Sequence, residues 1–471
     1  VSGNATLVNI KDDAAEIQDA VDLSSASSTV NVAKGDYYED VLVDGKNIDL
    51  RGARSGTDAR GRTGDESTIY GSVIFKNASD GEVRGFSITG GTKGVRLENV
   101  SNFLIANNII TDIKDNTGYD DDGVFLDNAQ DVLVQRNVIN NSGDDGIHAR
   151  NNVDGLVISQ NEIGKATGDS IDLHITSGAI RVDRNDISGG SAIGVHAKNT
   201  ESVVVTRNTI TGTRNEGIKV TDGSTSALVQ NNTVTGGTNG VEVNGGSAHT
   251  VSSNTIINSR SDAIVVTNAD YSTVKSNTVN SAGDNGIAVS GSDYVGVSGN
   301  TITDAENNGI VVTNSGYIDI TGGNTITGGK TGVRLADSDY ADVIGNTISG
   351  QSGVGPGGYG DGVNVVGSDF VRIMNNTISD TSHDGIELES TSHNADIKGN
   401  TLTDISGNGI VVRGNSDNAD VQNNSIDNAK NGVTVSGNSA NIIVARNTIE
   451  NTRQNGVVIG ADAERVSQNT L

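Results

Sequence analysis

One residue pattern returns every 22 to 24 positions through most of this 471-residue chain, and it limits the possible folds more than any other feature. In its plainest form it reads Asn300-Thr301-Ile302, then Asn308-Gly309-Ile310-Val311-Val312. The glycine ahead of the apolar run recurs at Gly94, Gly123, Gly146, Gly194, Gly217, Gly240, Gly286, Gly309, Gly332, Gly362, Gly385, Gly409, Gly432 and Gly456, with Ser170 and Ala263 filling two gaps. Two steps are longer, 29 residues from Gly94 to Gly123 and 30 from Gly332 to Gly362. An asparagine in Asn-x-Ile/Val/Leu keeps the same period from Asn108 to Asn469. A fixed period of this length is the mark of a solenoid.

Each repeat holds three short apolar runs, such as Ile310-Val311-Val312, Tyr317-Ile318-Asp319-Ile320 and Asn324-Thr325-Ile326, separated by Gly, Asn, Asp and Ser. The runs are too short for helices and read as strands bounded by turns. Three strands and three turns in about 23 residues make one coil of a parallel β-helix. With these repeats the chain resembles the pectin-lyase-like right-handed parallel β-helix superfamily, from about Val30 to Leu471. The resemblance implies an all-β fold, a single-stranded right-handed solenoid forming one elongated domain. An asparagine at the same turn of every coil can pass amide hydrogen bonds along the stack. Asn-Gly and Asp-Gly steps read as turns that need positive φ.

Around the coils, residues 12–23 form an amphipathic segment with Ile17, Ala20, Val21 and Leu23 on one face, expected as a helix capping the open first coil. Residues 51–68 are polar and read as a loop excursion. Regular coils run from 73 to 471. The chain stops at Asn469-Thr470-Leu471 inside a repeat, so a continuation, a partner or end-to-end homo-oligomeric packing is expected there. Tyr271, Tyr294, Tyr317, Tyr340 and Phe370 share one column and read as a structural ladder in preference to a sugar-stacking platform.

Charge narrows the partners. A net charge of −27, with 59 acidic against 32 basic residues, argues against nucleic acid. No apolar run is long enough for a membrane span. With no cysteine, disulfides and thiolate metal sites are excluded, and the pattern suits a secreted or cell-surface bacterial protein.

The second residue after each marker glycine should point outward. That column reads Phe125, His148, Asp172, His196, Lys219 and Glu242, then turns apolar. His148, Asp172, His196 and Lys219 are the candidate catalytic groups, with Tyr119 in the first insertion as a proton donor. Arg150, His174, Lys198 and Arg214 are candidates for holding a substrate carboxylate. Asp120, Asp121, Asp122, Asp144 and Asp145 are candidate Ca²⁺ ligands. Mannuronan C5-epimerases and polygalacturonases are distantly similar. Their Tyr-Gly-Phe-Asp-Pro-His and Gly-His-Gly motifs are absent, although Asp122-Gly123 and Asp144-Asp145 look like polygalacturonase elements. The expected function is lyase or C5-epimerase chemistry on an acidic polysaccharide. Glycoside hydrolysis by Asp122, Asp144 and Asp145 is a further possibility. The alternative is a non-catalytic surface protein, such as an adhesin stalk or matrix scaffold.

Overall fold

The computed structural model describes residues 5–12, 15–114, 120–174, 178–353, 360–460 and 463–471. Two compact units make up the chain, Val1–Thr238 and Asn239–Leu471. Each is a parallel β-helix in which a strand pairs with the equivalent strand one coil away.

In the first unit, Val124–Asp127 (within the strand Asp122–Gln135), Ile147–Arg150, Ile171–His174, Val195–Lys198 and Ile218–Thr221 pair in unbroken parallel register. Two further stacks close each coil, one through Val157–Ser159 and Arg181–Asp183, the other through Glu162–Ile163 and Asp186–Ile187. The second unit repeats this arrangement from Val241–Asn244 to Asn455–Ile459. Isoleucine, valine and leucine from all three stacks fill the interior and are almost wholly buried.

Buried polar ladders run beside this apolar core. In the first unit the side-chain amide of Asn137 donates to Asn161 Oδ1, Asn161 to Asn185, and Asn185 to Asn208, each at 3.0 Å. The same oxygen also accepts the backbone N–H of the donating asparagine, and the amide's second proton goes to a strand carbonyl, as Asn161 does to Val134 O at 2.9 Å. Every polar atom of the amide is satisfied, which is what burial demands. A serine ladder, invisible as a motif, supports the second unit: the N–H of Ser315 donates to Ser338 Oγ, and that of Ser338 to Ser368 Oγ.

The marker glycines have another cause than the turn geometry expected of them. None from Gly94 to Gly456 has positive φ. A Cβ on Gly123 would lie 2.5 Å from Ile139 Cγ2 and 2.6 Å from Gly146 O, and one on Gly309 2.3 Å from Ile326 Cγ2. The approach of the next coil favours glycine here, although Ser170 and Ala263 are accommodated, fully buried, at two of the positions. Positive φ falls instead on the residue before each ladder asparagine, as at Asn107, Arg136, Gln160 and Arg184.

The helix spans Ile17–Leu23 and buries Ile17, Ala20 and Val21, whereas Leu23 is exposed, against expectation. Both ends are held from the following coil. Glu39 accepts the N–H groups of Ile17 and Gln18 at 2.7 and 2.9 Å, and Lys46 Nζ donates to Val21 O and Asp22 O. A carboxylate at the amino end and an ammonium at the carboxyl end both complement the helix dipole. Ahead of the helix, Ala5–Ile10 adds a strand on Ser24–Val32. In the 51–68 excursion, Arg62 is buried, donates to Asn107 O and Phe86 O at 2.7 and 3.1 Å, and pairs with Glu66.

Candidate functional site

The strand register places Phe125, His148, Asp172, His196 and Lys219 side by side on successive coils. Their surroundings differ from the exposed polar face expected. Phe125, Asp172 and His196 are buried and His148 nearly so. Long neighbours cover the column: Lys93, Arg96 and Arg150 lie 4.9, 5.6 and 4.6 Å from the Phe125 ring centre, and His148 meets it edge-on.

At the centre of the cluster, Asp122 is completely buried and pairs with Lys93 Nζ at 2.9 Å. Lys93 also reaches Asp120 at 3.0 Å. Burial opposes ionisation of Asp122, but its contact with His148 and the charge of Lys93 outweigh it and hold the carboxyl below its ordinary range. Among the described residues Asp145 pairs with no lysine or arginine, and of the basic side chains only His148 approaches it, at 3.6 Å. Burial, then the charges of Asp122 and Asp172, push its carboxyl up to about 9, so it is protonated at neutral pH. Burial followed by the charge of Asp122 raises Asp144 as well.

The His148 ring sits among three carboxylates. Its Nδ1 is 3.5 Å from Asp122 and 3.6 Å from Asp145, and its Nε2 is 3.9 Å from Asp172. Neither nitrogen makes a well-formed hydrogen bond, and neither does Asp172 Oδ1. Burial pulls His148 down, yet the contact with Asp122 and the charges of Asp122 and Asp172 leave it raised. Two coils on from His148, His196 Nδ1 bonds Asp169 at 2.9 Å, which orients the ring and leaves Nε2 beside Thr221 Oγ1 at 3.5 Å.

The expected carboxylate-holding groups divide. Lys198 stands 3.5 Å from Asp172, beside the column. Arg150 is drawn to Asp127 at 3.2 Å. Arg214 donates to Thr167 O at 2.5 Å, two coils back. His174 pairs in register with Arg150 and Lys198. Lys219 is 3.5 Å from Glu216. Tyr119 lies outside the described residues.

Several sets of ligand atoms lie within 4.8 Å of one another: Asp145/His148/Asp172, Asp169/Asp172/His196, Asp120/Asp122/His148 and Asp122/Asp144/Asp145. The first three mix imidazole with carboxylate, a donor set that suits transition metals more than Ca²⁺. Asp121 is buried but joins none of these sets.

A second cluster, in the other unit, went unnoticed in the sequence. His383 Nδ1 lies 2.6 Å from Asp361 Oδ1, and Asp384 Oδ2 is 3.6 Å from the same nitrogen. Asn364 Nδ2 donates to Glu387 Oε2 at 3.2 Å, and Arg413 Nη2 pairs with Glu387 at 2.7 Å and Glu389 at 3.0 Å. Asn364 and Glu387 belong to the column read as bland. The signal available was the Asp-Gly step on consecutive coils, Asp361-Gly362 and Asp384-Gly385.

The aromatic column forms a continuous stack. Tyr271, Tyr294, Tyr317, Tyr340 and Phe370 are spaced 4.7 to 4.9 Å apart with ring planes within 5°. All are about half exposed, and Tyr294, Tyr317, Tyr340 and Phe370 border a groove of about 530 Å³ with Asp319, Asp342 and Arg372. The inner rings spend both faces on each other, so a sugar can reach only their edges.

A family model for right-handed β-helix regions matches residues 122–279, 193–348 and 285–449. The chain belongs to the right-handed β-helix family. Residues 21–186 also match a model described as periplasmic copper-binding protein, NosD. Similar solved structures include PfbA, a surface adhesin of Streptococcus pneumoniae, at 12% identity and TM-score 0.43, covering 72% of this chain and 92% of that one. Another is the A-module of the Azotobacter vinelandii mannuronan C-5 epimerase AlgE6, at 15% identity and TM-score 0.30, covering 98% of both chains. A third is DFA-IIIase of Arthrobacter chlorophenolicus A6, at 11% identity and TM-score 0.34, covering 79% and 95%. No curated protein matches the chain. No described helix is long and apolar enough to cross a membrane.

Proposed function

We propose that the cluster in the first unit is an acid–base centre acting on an acidic, uronate-containing polysaccharide outside the cytoplasm, by β-elimination or C5 epimerisation. The observation that carries this reading is His148, almost enclosed by carboxylates with neither ring nitrogen in a good hydrogen bond. A buried imidazole held by several acids whose carboxyls are shifted in opposite directions is an arrangement that marks functional sites more often than structural faces.

Roles follow from the geometry. His196, oriented by Asp169 through Nδ1, presents Nε2 as the base that withdraws the C5 proton of a uronate. Lys198 and Lys219 flank the column and favour the charge that develops on the sugar carboxylate. His148 is the proton donor, to the departing oxygen in elimination or to the opposite face in epimerisation. The NosD match supports a periplasmic or secreted setting. It also makes copper a metal to test at Asp145/His148/Asp172. At Asp120 and Asp122 the ammonium of Lys93 already supplies the positive charge that Ca²⁺ would bring.

The test uses alginate and pectate, with ultraviolet absorbance reporting the unsaturated elimination product and deuterium uptake at C5 reporting epimerisation. His196→Asn should lower the rate by about 10²–10⁴-fold. If neither polymer is altered by the native chain, the reading falls and a non-catalytic surface scaffold takes its place.

A further inference from the structure

The first-unit site has a counterpart in the sequence 238 to 239 residues later. Gly90-Gly91-Thr92-Lys93-Gly94-Val95-Arg96-Leu97 returns as Gly328-Gly329-Lys330-Thr331-Gly332-Val333-Arg334-Leu335. A lengthened step follows each. Asp122-Gly123-Val124 then returns as Asp361-Gly362-Val363, and Asp145-Gly146-Ile147 as Asp384-Gly385-Ile386. Histidine and acid change places around this frame: Asp144 and His148 in the first unit, His383 and Glu387 in the second.

The exchange has a structural logic. Asp122 and Asp361 are both completely buried, and each takes a cation from its own unit, Lys93 in one case and His383 in the other. In the second unit the buried carboxylates anchor cations that themselves face solvent. The side chains of His383 and Arg413 are 44% and 42% exposed, while Asp361 and Glu387 beneath them are fully buried. Arg334 donates to Asn364 Oδ1 at 2.7 Å, and Asn364 in turn bonds Glu387, so the support beneath Arg413 is continuous. Side-chain atoms of His383, Asp384 and Glu387 lie within 4.8 Å of one another, which draws the imidazole and the guanidinium to the same carboxylate. A long-chain cation anchored in this way loses little freedom on binding an anion.

We propose that His383 and Arg413 form a second binding site for an acidic sugar, its carboxylate held between the imidazolium and the guanidinium. The ligand class rests on the reading of the first unit; the site itself rests on the geometry of the second. The charge state supports it. The hydrogen bond to Asp361 raises His383 to about 9, against the opposing effect of burial, with Asp384 and Glu387 adding to the rise. Burial, then the charge of Asp361, keeps Glu387 protonated up to about 8. Protonation of Glu387 leaves fewer negative charges facing the two cations, with Asp361 and Glu389 as their ion-pair partners and Arg334 a further cation behind Asn364.

The experiment titrates the full chain calorimetrically with tetrameric oligomannuronate and oligogalacturonate at neutral pH. Two sites per chain are expected. Arg413→Gln or His383→Asn should weaken one of them by roughly tenfold or more, and His196→Asn should leave that one unchanged. Because His383 and Arg413 pair with fully buried Asp361 and Glu387, the melting transition of each variant is checked first, and Arg413→Lys, which keeps a cation beside Glu387, should retain most of the affinity. Binding at that site should also fade above pH about 9, where His383 loses its charge. A single site lost on changing the first unit and untouched by Arg413→Gln overturns the inference and leaves the proposed function standing. A single site lost only with Arg413→Gln does the reverse. No binding of either oligomer overturns both.

Discussion

The backbone N–H and the side-chain amide of Asn161 both end on one atom, Oδ1 of Asn185, each at 3.0 Å. Replacing Asn161 with alanine strands the backbone N–H and amide proton of Asn137 that end on its own Oδ1 and removes the donor to Val134 O, while Asn185 Oδ1 keeps only the backbone N–H of residue 161. The expected loss is about 1–3 kcal/mol or more, since several buried groups lose partners together. Asn31→Ala, in an exposed pair bonded to Asn9 at 3.0 Å and with no left-handed backbone, should change stability by less than about 0.5 kcal/mol. Thermal unfolding of the two variants measures the contrast.

Two glycines of one coil give opposite expectations. A Cβ on Gly309 meets Ile326 Cγ2 at 2.3 Å and Gly332 O at 2.7 Å, whereas one on Gly296 meets nothing within 4 Å. Gly309→Ala should destabilise by roughly 1–3 kcal/mol through overpacking. Gly296→Ala should be neutral or stabilise by up to about 1 kcal/mol, because it restricts the unfolded chain. Equal effects in denaturation would refute the packing account of the marker glycine.

Lys93 and Asp122 form a buried pair at 2.9 Å. Lys93→Met leaves the carboxylate without its ammonium and should cost about 3–5 kcal/mol. The double variant Lys93→Met with Asp122→Asn should recover much of that loss. A double variant no more stable than the single one would mean that packing of the lysine stem, and not its charge, is what matters.

Tyr317 lies between Tyr294 and Tyr340 at 4.7 and 4.9 Å. It holds φ of 57°, a left-handed conformation that disfavours bulky side chains. Stacking, about 0.5–1.5 kcal/mol per pair, offsets that strain. Tyr317→Asn removes both contacts but suits the backbone, so the net loss should stay near 1 kcal/mol, whereas Tyr317→Val should lose about 2 kcal/mol or more. Binding of a neutral oligosaccharide should be unaffected in either case, because the inner ring faces are already occupied.

Glu387 carries a pH signature. Its folded-state carboxyl is raised to about 8 from an ordinary value of 4.5. The folded state therefore holds a proton that the unfolded chain has released. Its contribution is fully present below pH 4.5 and is lost as pH rises toward 8, by at most about 1.4 kcal/mol per pH unit. Glu387→Gln should flatten the melting temperature across that interval. An unchanged pH profile would mean that the carboxyl is already ionised in the fold.

The solenoid and the register of the His148 column were legible because a strand period of two and a coil period near 23 leave little freedom in what faces what. Burial of that column was not, because it depends on how Lys93, Arg96 and Arg150 fold over Phe125, which no periodicity encodes. The second cluster was hidden for a related reason. His383 sits in the turn before its strand, while the outward column around Arg334, Asn364 and Glu387 is flanked by the apolar Val311 and Val411. The role of the marker glycines was misread because a turn and a close approach of backbones favour the same residue.

The strand partners described for each unit are 19 to 33 residues apart in sequence, one coil in nearly every case. Closing a loop of that size costs nearly the same entropy wherever it occurs. Folding can then advance as a crystal grows, each finished coil serving as template for the next. Damage should behave in the same way: a nick or a poor substitution frays its neighbours and fades with distance, leaving remote coils intact to proteases and to hydrogen exchange.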